Sequence, residues 1–253
     1  REKQRKPPRN RALSSAWLPM SPSTIPIVYE DRQLLICVKP AGILAEAAQG
    51  RGLPDLLQAQ YRSGGKPDFI AGVHRLDRNV GGLMVFSRRP EVTGKLTAQI
   101  AQHEMRKEYL AVVRGIPEEP EGVLEDLLFR DAQHNKTFVV QRMRKGVRPA
   151  KLAYRCLAQS SANGQPCSLV QVRLYTGRTH QIRVQFASRQ LPLLGDIRYG
   201  CKDPLCDIAL WSYRLGLRHP KTGQALAFCQ PPPAAYPWSL FAGTITPDLP
   251  PLA

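Results

Sequence analysis

Residues 152–189 read LAYRCLAQSSANGQPCSLVQVRLYTGRTHQIRVQFASR, and their changing period decides the fold class. Leu152 to Leu157 and Ser168 to Leu174 are strand-like runs around the polar turn Ser160 to Pro166. In the second run Leu169, Gln171 and Arg173 alternate with Val170, Val172 and Leu174, the period-two mark of a strand. From Thr179 to Arg189 the period lengthens, with Ile182 and Phe186 four apart on one helical face. A hairpin therefore runs directly into a helix.

The same pairing recurs on either side. Ile27 to Tyr29 and Leu34 to Val38 flank the turn Glu30-Asp31-Arg32, closed by Lys39-Pro40-Ala41-Gly42. Ala209 to Leu217 and Ala225 to Cys229 flank His219-Pro220-Lys221-Thr222-Gly223-Gln224, a hairpin signal. Gly82 to Ser87 and Tyr109 to Val113 read as buried strands, the second ending at Gly115 before an acidic loop, Pro117 to Glu121. Helical spacing marks Leu53 to about Arg62 and residues 91–102, where Val92, Leu96 and Ile100 lie four apart after Pro90. The end of the chain, with Pro231-Pro232-Pro233 and Pro237-Trp238, reads as a strapped-down coil. Paired strands with three helices predict an α+β fold: a mixed, mainly antiparallel large sheet with a few flanking helices. Residues 25–253 form one domain in this reading, and residues 1–24 a basic arm that cannot bury a face.

Composition narrows the function. The 253 residues are 43% hydrophobic and 22% charged, ordinary for a globular chain. Thirty-six Lys and Arg against 20 Asp and Glu give a net charge of +16, which attracts polyanions. Six basic groups and one acid in residues 1–24 account for +5 of it, so the body is itself basic. No stretch of 18 apolar residues could cross a membrane. Six cysteines lack any C-x-x-C pair, and no second pair joins Cys201 and Cys206, so no zinc site and no metal is expected and the thiols read as reduced. No phosphate-loop motif is present, which argues against nucleotide-driven chemistry.

Three segments concentrate chemistry. In Val73-His74-Arg75-Leu76-Asp77-Arg78-Asn79-Val80-Gly81-Gly82-Leu83, one carboxylate sits among cations ahead of a buried strand. Such an aspartate can serve as nucleophile or base, or be an ordinary turn salt bridge. The double glycine permits close backbone approach or a sharp turn. In Leu174-Tyr175-Thr176-Gly177-Arg178-Thr179-His180-Gln181-Ile182-Arg183, a strand gives way to a helix at a corner. There Arg178 could fork onto Asp77, or Arg178, His180 and Arg183 could grip phosphates; otherwise Thr179 simply caps a basic first turn. In Arg106 to Gly115, Tyr109 opens an apolar strand, either as a core aromatic or as a proton carrier and stacking platform.

His74-Arg75-Leu76-Asp77 followed by Gly-Leu resembles the signature of the RluA family of RNA pseudouridine synthases. Lys107-x-Tyr109-x-Ala111-x-Val113-x-Gly115 and Thr176-Gly177-Arg178-Thr179-His180-Gln181-Ile182-Arg183 follow in the family's order. Smaller echoes are Lys39-Pro40-x-Gly42, Gly195-Asp196-x-x-Tyr199-Gly200, His219-Pro220 and Pro237-Trp238, so the resemblance spans about Ile25 to Phe241. It implies that Asp77 attacks the target uridine while the base detaches, turns and rejoins through carbon 5. It implies that Tyr109 stacks on the base and takes the carbon-5 proton, and that Arg178 pairs with the aspartate. Arg75 would fill the gap left by the flipped uridine, and Ile182 would line the pocket, with His74, His180 and Arg183 on the substrate side. Extracting, stacking and replacing a base is what chemistry on a base within structured RNA demands. The family works without cofactor or metal.

Val80-Gly81-Gly82 departs from the family's frequent Thr-Ser-Gly, which predicts altered loop packing or substrate preference rather than lost chemistry. About 25 residues before the catalytic part are too few for the S4 RNA-binding domain of many relatives. The implied partner is RNA, a ribosomal or transfer RNA stem-loop. A monomer without obligate protein partner is the expectation. A bacterial cytoplasm is the expected location, a mitochondrial one being the alternative because the arm is Arg-rich and acid-poor. Two rival functions share the basic cleft: a non-catalytic RNA-binding or ribosome-assembly factor, and a glycosylase releasing the base.

Overall fold

The structure, a computed structural model, describes residues 24–49, 51–65, 67 and 69–252. The arm expected over residues 1–24 lies, but for Thr24, outside the described residues. The strands are β1 (Ile27–Glu30), β2 (Leu34–Lys39), β3 (Ala71–Gly72), β4 (Gly81–Ser87), β5 (Arg106–Arg114), β6 (Glu121–Asp131), β7 (Lys136–Val140), β8 (Val147–Ala162), β9 (Gln165–Leu174), β10 (Leu210–Arg218) and β11 (Ala225–Cys229). The helices are α1 (Leu53–Ser63), α2 (Pro90–Ala101) and α3 (Gln181–Ala187).

All eleven strands join one sheet, ordered β1-β2-β4-β10-β5-β9-β8-β6-β7, with β11 added on β10 and β3 on β4. Every pairing is antiparallel except β4 with β10, where Gly81 and Gly82 meet Trp211 and Ser212. The expected α+β class and largely antiparallel sheet are what the chain forms. Alternation distributes the core over two faces. Tyr109, Ala111 and Val113 of β5 turn to the face covered by α1 (Leu53, Leu57, Tyr61) and α3 (Ile182, Phe186). Leu110 and Val112 turn to the other face, beside Trp211, Tyr213, Trp238 and Phe241. α2 covers the neighbouring part of the sheet through Leu96.

The expected turn tightens to two residues, because Asn163 (φ 50°) and Gly164 (φ 73°) both adopt the left-handed region and Ala162 faces Gln165. The β6–β7 hairpin has no clear signal in the sequence. Its residues are mostly exposed or half-buried and include Glu121, Glu125, Asp126 and Arg130, so apolar alternation is weak there. The proline-rich end is indeed strapped down: the carbonyls of Thr246, Leu249, Pro250 and Leu252 accept bonds from Tyr213, Arg214, Gln171 and Arg106.

Candidate active site

Asp77 lies on the loop between β3 and β4, and that loop is pinned from three sides. Leu76 and Val80 are buried on either side of it. The Val80 amide donates to the Asp77 carbonyl at 3.0 Å, and the Gly42 amide to the Arg78 carbonyl at 2.9 Å. The fully buried Lys39 side chain donates to the carbonyls of Arg78 (2.8 Å) and Pro40 (2.9 Å). Burial pushes the Lys39 amine down to about 7, with the charge of Asp77 opposing the shift.

The glycines after the loop permit the β4–β10 contact. A Cβ on Gly81 would stand 2.4 Å from the Trp211 ring. At Gly82, with φ 114°, it would stand 2.3 Å from the Ser212 carbonyl oxygen. The space that a serine would need at position 81 is thus filled by the Trp211 indole.

Asp77 Oδ2 is 2.7 Å from Nη1 of Arg183. Arg183 in turn forks onto Asp196, Nε to Oδ2 and Nη2 to Oδ1, both at 2.8 Å. Asp196 is 2% exposed, so Arg183 sits wedged between a buried and a cleft-facing carboxylate. Asp77 Oδ1 accepts no hydrogen bond among the described residues. The pairing assigned from the sequence to Arg178 is therefore made by Arg183. Arg178 is exposed at the cleft rim, and its Nε donates to the Pro149 carbonyl at 3.0 Å.

The local backbone explains the exchange. The corner continues one residue past Thr179, with His180 at φ 55°, and α3 begins only at Gln181. Gln181 Oε1 accepts from the Arg178 amide (3.0 Å) and the Thr176 hydroxyl (2.7 Å), which closes the corner and leaves Thr179 without a capping role. Ile182 and Phe186 pack into the core while Arg183, next along the buried helix, meets Asp77 and Asp196.

His180 is buried, its Nε2 3.8 Å from Asp77 Oδ2 and its Nδ1 3.0 Å from the Tyr199 hydroxyl. Burial lowers its pKa to about 4, so it is neutral at physiological pH. The Tyr199 ring also lies 5.2 Å from the Arg183 guanidinium carbon. His74 does not serve as a substrate contact in this geometry. Its Nε2 accepts the Val85 amide at 3.0 Å, its Nδ1 is buried, and burial holds its pKa near 3. It ties the Asp77 loop to β4.

Tyr109, on β5 opposite Ser212 and Val172, is 5% exposed at the cleft floor. Burial and the charge of Asp77 push its hydroxyl pKa up, so it is a phenol. Arg75 is exposed and holds Glu46 at 2.5 Å. Asp77, Tyr109, Arg178, His180, Ile182 and Arg183 all line one cleft of about 470 Å³. A second cleft of about 670 Å³, bearing Arg78, Arg130 and Arg198, meets the first at Arg75, Asp77 and Arg183. Lys39, Asp196 and Tyr199 join the site although the sequence marks them only through the segments Lys39-Pro40-x-Gly42 and Gly195 to Gly200. No cluster of three or more metal-ligating side chains occurs among the described residues. None of their helices is long and apolar enough to cross a membrane.

Comparison with known proteins points the same way. A family model described as RNA pseudouridylate synthase matches residues 33–188. The ribosomal large subunit pseudouridine synthase D of Nitrosomonas europaea is 34% identical over 220 residues, covering 82% of this chain and 62% of that protein. An uncharacterized RNA pseudouridine synthase, YhcT of Bacillus subtilis, is 32% identical over 212 residues, covering 82% and 68%. The chain thus spans about two thirds of the length of these relatives. The solved human RNA Pseudouridylate Synthase Domain Containing 1 shares the fold, with a TM-score of 0.74 at 22% identity over 89% of this chain and 90% of that one. By the matched model, the identity to its relatives and the motifs that line the cleft, this chain belongs to the RNA pseudouridylate synthase family.

Proposed function

We propose that the chain isomerises uridine to pseudouridine in structured RNA. The observation that carries this reading is the convergence of Asp77, Arg183 and Tyr109, from a loop, a helix and a strand, on one cleft. Asp77 Oδ1 attacks the ribose carbon 1′ as its bond to uracil N1 breaks. The detached base turns, carbon 5 bonds to carbon 1′, and the Asp77 carboxylate leaves. The proton lost from carbon 5 is balanced by one gained at N1. Tyr109 stacks on the base; being a phenol, it takes the carbon-5 proton only by passing its own on. Arg183 holds the aspartate as an anion partner, and Asp196 holds Arg183. Arg75, at the junction of the two clefts, leaves Glu46 to occupy the gap of the flipped uridine. Arg178 and His180 contact the RNA at the rim and wall, and Ile182 shapes the apolar side.

The large-subunit relative makes ribosomal RNA the first substrate to test, with transfer RNA second. A cytoplasmic monomer fits this role. Tritium release from RNA labelled at carbon 5 of uridine, with wild type and Asp77→Ala, is the test. Release by wild type alone, with pseudouridine after digestion, supports the reading. Tight binding without release overturns it in favour of a non-catalytic RNA-binding factor, and free uracil in favour of a glycosylase.

A further inference from the structure

Away from the catalytic cleft, three chain segments distant in sequence converge on a basin of about 370 Å³. Its rim carries Arg32 from the β1–β2 turn, Arg89 and Lys95 from the N-cap and first half of α2, and Lys221 from the β10–β11 turn. All four are exposed, and the lone acid there, Glu91, is paired with Arg89 at 3.5 Å. Among the described residues no carboxylate pairs with Arg32, Lys95 or Lys221. Four cations against one acid leave the basin at +3.

The frame beneath these cations is rigid. Arg89 Nε donates to the Arg32 carbonyl at 3.1 Å, and the Arg88 amide to the Gln33 carbonyl at 2.8 Å, joining the β1–β2 turn to α2. His219 Nε2 is 2.7 Å from Asp31 Oδ2, joining the two turns. His219 Nδ1 lies 3.0 Å from the Thr222 amide and caps the turn bearing Lys221. Gln99 bonds both backbone groups of Arg218, at 2.8 and 2.9 Å, joining β10 to α2. A preset frame of this kind lowers the ordering cost of gripping an anion.

The basin is connected to the active site by α2 itself. The helix has 12 residues and is about 18 Å long at 1.5 Å per residue. Arg89 just before it and Glu91, Val92 and Lys95 in its first half line the basin, while Ile100 and Ala101 at its end, with His103 beyond, line the catalytic cleft. A polyanion leaving the cleft along α2 reaches the basin within a few nucleotides.

From this juxtaposition we infer that the Arg32–Arg89–Lys95–Lys221 basin is a second phosphate-binding site, gripping the backbone of the RNA strand a few nucleotides from the target uridine. The inference rests on the RNA reading of the catalytic cleft and adds the track by which the strand leaves it. The site reads no base, so its effect is on affinity and salt dependence rather than on chemistry.

The test is the Lys95→Gln/Lys221→Gln double variant against wild type, with both melting temperatures measured. RNA binding is followed from 50 to 200 mM salt with unmodified ribosomal and transfer RNA transcripts, beside tritium release at saturating RNA. The inference expects several-fold weaker binding and a logarithmic salt slope shallower by about 1 to 2, since two phosphate contacts are removed. It also expects release at saturation equal to that of wild type. Wild-type affinity and slope in the variant overturn the inference. If wild type releases no tritium while the variant's slope still falls, the basin stands as an RNA site and the catalytic reading fails.

Discussion

Arg183 joins Asp77 to Asp196, with Nη1 2.7 Å from one carboxylate and Nε and Nη2 both 2.8 Å from the other. The arrangement divides the guanidinium fork by function. The edge facing Asp196 is spent on a bidentate, nearly dry ion pair that sets the plane of the group. The remaining nitrogen meets Asp77 and holds one carboxylate oxygen, while the other has no hydrogen-bond partner among the described residues. A lysine could supply the charge but not both contacts.

Arg183→Lys is therefore expected to lower turnover at saturating RNA by about 10²–10³-fold, the scale of losing one preorganised electrostatic contact. Arg178→Lys, at an exposed rim position, is expected to raise KM and leave kcat within a few-fold. Measuring the two variants side by side by tritium release separates these roles. The opposite ranking would return the aspartate's partner to Arg178. Arg183→Ala is expected to cost about 3–5 kcal/mol of stability, since it strands the buried Asp196 carboxylate.

Tyr109→Phe keeps the ring on the cleft floor and removes only the hydroxyl. RNA affinity is expected to stay within about twofold, while turnover drops by about 10²–10⁴, the range for a proton carrier. Filter binding and tritium release read the two separately. An active Phe variant would confine Tyr109 to stacking.

Buried His180 and half-buried His74, whose Nδ1 is enclosed, give the fold an acid limit. His180 has its pKa lowered to about 4 and His74 to about 3, both by burial, against about 6.5 in an unfolded chain. Between these values the unfolded state binds more protons than the folded one, so stability rises with pH. The contribution is complete above about pH 6.5 and is lost as pH falls toward 4 and then 3. The melting temperature is expected to decline from pH 7 to pH 4.5, and less steeply in His74→Gln, which keeps an acceptor for the Val85 amide.

Much of this architecture is legible in the residues themselves. Leu169 to Leu174 and Leu34 to Val38 are strands because they must fill two core faces, and Val92, Leu96 and Ile100 mark α2 by their spacing. The β6–β7 hairpin is not legible, because one edge of a large sheet can pair by backbone alone while its side chains face water. At the site, the loop with Asp77 and the strand with Tyr109 stand out by motif. The choice between Arg178 and Arg183 does not. It depends on His180 taking a left-handed conformation, which rotates the start of α3, and on a buried Asp196 thirteen residues further on. Neither is a local property of the segment that carries the arginines.

Gly81 offers a last test, of whether the departure at Val80-Gly81-Gly82 is coupled to Trp211. The Trp211 ring occupies the space next to Gly81, and its Nε1 donates to the Gln230 carbonyl at 2.8 Å, so it cannot swing away freely. Gly81→Ser forces a Cβ to within 2.4 Å of that ring and is expected to destabilise the fold by about 1–3 kcal/mol, the usual cost of overpacking. Trp211→Leu alone is expected to destabilise as well, by leaving a cavity and an unpaired Gln230 carbonyl. In the double variant the serine has room, so the combined loss should be smaller than the sum of the single losses. A double-mutant cycle in denaturant measures that coupling. Strict additivity would mean that Gly81 and Trp211 do not share one packing constraint. A positive coupling, with tritium release retained in the double variant, would mean that the serine of the related motif was replaced by packing against indole while the chemistry at Asp77 was kept.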